Sequence, residues 1–178
     1  MIIVTNTHLP KPENCIFLLI WLEFILLPAY YCSVERDKRG RQTLRVGILY
    51  SAEKPILERV VGSLKQGLEK QGAQVQLYPD NSERFSGLAA CKLLFIGSFA
   101  PTLFKVRTPV RMRAALGKSG GLLGRRAIAF TCDKGTRGRK ALLAVMADME
   151  RQGCIIVDQL TIRSEREAYQ FGATLKLG

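Results

Sequence analysis

The strongest constraint on this chain is an alternation: short apolar runs of strand length, each followed by apolar residues at helical spacing. Val46–Tyr50 is the first such run. After Pro55, the residues Ile56, Leu57, Val60, Val61, Leu64 and Leu68 form one face, with Glu58, Arg59, Lys65, Glu69 and Lys70 off it, until Gly72 stops the pattern. Val75–Tyr78 predicts a second strand, and "PDNSERFSGLAA" a loop or short helix. Leu93–Ile96 predicts a third strand ending in Gly97-Ser98. Thr108-Pro109 predicts a helix start, a hydroxyl cap followed by proline, that runs to Gly117. Ala127–Thr131 is the fourth strand and "CDKGTRG" reads as a loop. Leu142, Val145, Met146 and Met149 then mark a helix stopped by Gly153. Cys154–Val157 begins a fifth strand that can continue to Ile162, and Glu165–Gln170 has room for a short closing helix.

A strand–helix alternation of this kind means a doubly wound parallel five-stranded sheet between two helical layers, because each parallel connection needs a crossover. Two strand orders are common for such three-layer α/β domains, the Rossmann order and 2-1-3-4-5. Either places ligands beyond the carboxyl ends of the strands, where the winding reverses. For the order 2-1-3-4-5 the loops at that point are residues 51–55, 97–108 and 131–138.

With 178 residues there is room for one domain, assigned to residues 44–178, behind an extension over residues 1–43. The extension holds "CIFLLIWLEFILLPAYYC" at residues 15–32, nearly long enough to span a bilayer and interrupted by Glu23 and Pro28. A mid-membrane carboxylate costs roughly 2.5–3.5 kcal/mol, and the Ile, Leu and Phe residues return about 0.3–0.6 kcal/mol each. Three readings follow: a membrane anchor, an upstream extension from a miscalled start, and a signal peptide, which the single preceding Lys11 and the absence of a small-x-small cleavage site disfavour. Arg36, Lys38, Arg39 and Arg41 after the run place the domain on the cytoplasmic side in the anchor reading. Five unpatterned cysteines (Cys15, Cys32, Cys91, Cys132 and Cys154) without a C-x-x-C agree with a reducing, cytoplasmic location and predict neither a disulfide framework nor a zinc site. The only histidine, His8, lies in the extension, so the domain has no histidine for acid–base catalysis or metal ligation.

The charge balance is lopsided, with 27 Lys and Arg against 15 Asp and Glu. Eleven of those cations and a single acid, Asp133, fall between Lys105 and Lys140. Such a basic rim can steer an acidic redox protein or accept an anionic ligand; a merely solvated face is the plainer reading. Nucleic acid is disfavoured, because interleaved aromatics and known motifs are absent. "LGKSGG" around Lys118 fails as a phosphate-binding P-loop, since Met112 stands where glycine is needed and the segment follows a helix. A receiver-like domain would need acids where Ser51 and Ser98 stand.

Three stretches carry a resemblance to the flavodoxin family. They are "GILYSAEKPILERVVGSLKQGLEKQGAQVQLY", "CKLLFIGSFAPTLFKVRTPVRMRAAL" and "RRAIAFTCDKGTRGRKALLAVMADMERQGCIIVDQLTI", together nearly all of residues 44–178. The resemblance lies in pattern and spacing. It implies the strand order 2-1-3-4-5 and FMN held between the three loops for electron transfer. The family's first loop carries Ser/Thr-x-Thr-Gly-Asn-Thr as a phosphate cradle, where this chain has Ser51, Ala52, Glu53, Lys54, Pro55 and Ile56. Only Ser51 matches. Glu53 repels a phosphate, the glycine is missing, and Pro55 has no N–H to donate. On this resemblance Ser51 and Lys54 contact phosphate and Phe99 or Phe104 stacks on the flavin, with Ser98 beside it. The backbone around Thr131, Cys132 and Gly135 would wrap the polar edge of the ring. The alternative is a flavin-free domain of the same fold that binds an acidic or anionic partner through its basic surface. Neither reading gives any side chain a catalytic role or a metal, and neither fixes an oligomeric state.

Overall fold

The computed structural model describes residues 43–101 and 107–176. Five strands, β1 (Arg45–Tyr50), β2 (Gln74–Pro79), β3 (Leu93–Ser98), β4 (Arg126–Thr131) and β5 (Ile155–Thr161), pair in parallel in the order β2-β1-β3-β4-β5. The helices are α1 (Pro55–Lys70), α2 (Val110–Lys118), α3 (Gly135–Arg151) and α4 (Glu165–Thr174). Only a single 3₁₀ turn, Leu88–Ala90, interrupts the link from β2 to β3. The expected doubly wound architecture and strand order are both present.

Period-two alternation sends each strand's side chains to two separate cores. Val46, Ile48, Tyr50, Phe95, Ile128 and Phe130 join Leu57, Val61, Leu64 and Leu68 of α1 and Ala168 of α4. On the opposite face Leu49, Leu94, Ile96, Ala127 and Ala129 meet Met112, Ala115 and Leu116 of α2 and Leu142, Val145 and Met149 of α3. The strands β1, β3 and β4 are buried almost throughout, as central parallel strands covered on both faces must be. Cys91 and Cys154 are buried, reduced core residues.

Three local expectations need correction. The segment read as a loop, "CDKGTRG", is helical from Gly135 onward. Its glycine at position 138 is a packing residue, because a Cβ there would lie 2.8 Å from the carbonyl carbon of Asp133. Thr108 does not cap α2: Pro109 holds the cap position without a side-chain bond, and the buried Thr108 hydroxyl has no partner. The closing helix runs past Gln170 to Thr174, because its last turn packs: the Phe171 ring meets Phe95 edge-on at 6.3 Å. Its start is capped by Ser164 Oγ, which accepts from the Glu167 N–H at 3.2 Å.

Among the described residues no helix is long and apolar enough to cross a membrane. The apolar run at 15–32 lies outside the described residues.

Candidate functional site

The carboxyl ends of β1, β3 and β4 bring the expected loops together, and the end of β2 joins them. Parallel register sets this up: Tyr50 pairs with Pro79, so the next residues, Ser51 and Asp80, stand side by side. The Asp80 N–H donates to Tyr50 O at 2.9 Å, and the Ser51 N–H donates to Gly97 O at 3.2 Å. Both residues are buried. From there the Ser51 hydroxyl donates to Asp80 Oδ2 at 2.7 Å, and the Ala52 N–H donates to Asp80 Oδ1 at 2.9 Å. One carboxylate thus collects a hydroxyl and an amide from consecutive residues of the turn.

A second carboxylate ties the remaining loops. Asp133 Oδ1 accepts from Lys54 Nζ at 3.1 Å, and its Oδ2 accepts from the Ala100 N–H at 2.6 Å. Arg137 in the first turn of α3 donates to Ala100 O at 3.1 Å. Lys54 Nζ also lies 4.8 Å from the centre of the Phe99 ring, a cation–π contact that covers that ring. Lys54 is the cap residue of α1, with Pro55 behind it, and its carbonyl accepts from the Leu57 N–H at 2.9 Å.

The other expected site residues fall as follows. Ser98 ends β3 opposite Thr131, fully buried, its hydroxyl without a partner. Phe99 is buried. Thr131 is buried and its Oγ1 accepts from the Asp133 N–H at 3.2 Å. The Cys132 thiol is pushed up to about 12, mostly by burial and further by the Asp133 carboxylate, against a smaller opposing pull from Lys54. It is therefore a neutral thiol near pH 7 and a poor nucleophile. Gly135 opens α3 on the exposed rim. Phe104 lies outside the described residues. Among the described residues no cluster of His, Cys, Asp and Glu could hold a metal ion.

No family model matches the chain, and no curated protein matches it. Solved structures do. It overlays on a flavodoxin from the domain Archaea with a TM-score of 0.56 at 13% identity, covering 73% of this chain and 94% of that one. Flavodoxin 1 of Bacillus cereus gives 0.56 at 17% identity over 72% and 95%. The flavodoxin of Megasphaera elsdenii gives 0.57 at 13% identity over 73% and 99%. The fold is that of the flavodoxins. Within this flavodoxin-like fold, the β1–α1 turn is where a flavin phosphate would be sought, at the N-terminus of a helix. The residues present do not fit it. The hydroxyl of Ser51 and the amide of Ala52 are already donated to Asp80, Lys54 is held by Asp133, and Pro55 offers no N–H. A phosphate here would face one carboxylate among the donors and a second at Lys54.

Asp80 and Asp133 tie these loops together through their carboxylates, a role that reading by motif passes over. Asp133 is visible as the lone acid in the basic stretch. Asp80 becomes visible only when strand two is placed beside strand one, so that the residue after each strand is a neighbour of the other.

Proposed function

We propose that this chain is a flavin-free binding module of flavodoxin-like fold that engages an acidic protein surface through the basic face of α2 and the start of α3. The observation carrying this reading is the run of exposed cations Arg107, Arg111, Lys134, Arg139 and Lys140, none of which has an ion-pair partner among the described residues. The acids nearby do not offset them. Asp133 is taken by Lys54, and Asp148 is buried against Arg113 and Arg151. Neither helix has an acidic residue in its first turn. Cations beside a helix N-terminus oppose the helix dipole, at about 0.3–1 kcal/mol each, and an anionic partner relieves that repulsion. Both helices pack on the same face of the sheet.

The competing reading is an FMN-carrying electron-transfer domain. It draws support from the fold and from the flavodoxins that the chain overlays. The occupied turn and the Phe99 ring beneath Lys54 weigh against it.

The test uses poly-glutamate as the acidic probe with the full chain. Binding is expected to weaken steeply between low and physiological salt, as screening predicts. Arg139→Glu/Lys140→Glu is expected to weaken it by about tenfold or more. Binding that ignores salt, or a double variant that binds as the parent does, contradicts the proposal. So does a preference for duplex DNA over poly-glutamate at equal charge.

A further inference from the structure

We propose that the β1–α1 turn is an anion site filled by the chain's own Asp80, whose carboxylate stands where the oxygens of a phosphate-sized ligand would sit. The inference rests on the flavin-free half of the reading above and is independent of the basic face, so each can fail without the other. The donors are those of an anion site: a hydroxyl and the following backbone amide, at 2.7 and 2.9 Å from the two oxygens of one carboxylate. Charge-assisted bonds of this kind stabilise a buried anion that would otherwise be expensive to desolvate.

The arrangement is held from both sides. Asp80 hangs from Tyr50 O and Ser51 from Gly97 O, so the contact is part of the sheet and not of a mobile flap. Asp80 is only 6% exposed and Ser51 wholly buried. A tethered carboxylate competes with any free phosphate at a high effective concentration. An incoming phosphate must therefore displace Asp80 and leave it buried without its donors, or sit against its charge. Lys54 offers no free cation to tip that balance, because Asp133 holds it from the neighbouring loop. The same geometry says what removal of the carboxylate does. Asp80→Ala leaves the Ser51 hydroxyl and the Ala52 amide unpaired around a carboxylate-sized gap, which is a phosphate oxygen's complement.

The test is thermal unfolding of the full chain, followed by circular dichroism in rising inorganic phosphate at constant ionic strength. The parent is expected to show no saturable phosphate effect. Asp80→Ala is expected to melt lower in chloride and to recover saturably in phosphate, with an apparent affinity at least about tenfold above the parent's. Asp80→Ala/Ser51→Ala is expected to lose that recovery, whereas Arg139→Glu/Lys140→Glu in the Asp80→Ala background is expected to keep it. A parent that binds phosphate saturably and loses it on Ser51→Ala overturns the proposal. A folded Asp80→Ala that ignores phosphate does the same. If Asp80→Ala does not fold in chloride, Asp80→Ser, which also removes the charge and leaves most of the gap open, carries the same test: a phosphate-dependent rise supports the proposal and indifference overturns it.

Discussion

Phe130→Ala is expected to lower the unfolding free energy by about 3–5 kcal/mol, the range for emptying a fully buried aromatic site. The ring is wholly buried in the core beneath α1 and α4, on the interior strand β4. Its place is prepared by the neighbouring strand. Gly97 is the register partner of Phe130, and a Cβ on Gly97 would lie 2.7 and 2.8 Å from two carbons of the ring. The ring therefore rests on bare backbone at Gly97, which has no side chain to swing into the space it leaves. Since a domain of this size is stable by only about 5–15 kcal/mol, the loss is a large share of the total. Urea unfolding followed by circular dichroism measures it. A loss under about 1.5 kcal/mol, the scale of a volume-conserving swap, would mean that the core closes over the gap and that this packing is misread.

Gly67→Ala and Gly172→Ala are each expected to destabilise the domain by roughly 1–3 kcal/mol, the scale of overpacking. The sign is not obvious, because alanine in a helix interior is favoured over glycine by about 1 kcal/mol. Here the helices cross at these residues. A Cβ at Gly172 would lie 2.7 Å from Leu64 O and 2.9 Å from Leu68 N, and one at Gly67 would overlap Tyr169 O and lie 2.9 Å from Ala173 N. All four atoms belong to the backbone of the facing helix, so α1 and α4 must separate to admit a methyl group. Separation loosens the contacts that both helices make with the sheet, and this outweighs the propensity gain. Both variants open the same crossing, so the double variant is expected to cost less than the sum of the two. Additive losses would show that each methyl is accommodated locally.

Most of the fold is legible in the sequence because its signals are local. The apolar face of α1 and the strand runs at 46–50, 93–96 and 127–131 each declare themselves within a few residues. The misread places are those where a residue serves a distant neighbour. Gly138 looks like a loop glycine but clears space for the Asp133 carbonyl, which hides the first turn of α3. Phe171 and Gly172 look like the end of a fading pattern but pack against the sheet and α1. The site divides in the same way. Ser51, Ser98, Phe99 and Thr131 stand at or just past strand ends, which the alternation of apolar runs already locates. Asp80 is a surface-like residue in "YPDNS" until the register of β1 and β2 sets it against Ser51. The effect of Lys54, read as a phosphate contact, likewise depends on Asp133, 79 residues away.

With the β1–α1 turn of this flavodoxin-like fold closed to the flavin phosphate by Asp80 and Asp133, the chain is expected not to take up FMN. The purified full chain is titrated with FMN and followed by flavin fluorescence. The expected result is a colourless protein and fluorescence that rises with added FMN as it does in buffer, with protein at about micromolar concentration. Stoichiometric quenching at that concentration, abolished by Ser51→Ala/Lys54→Ala, would contradict it.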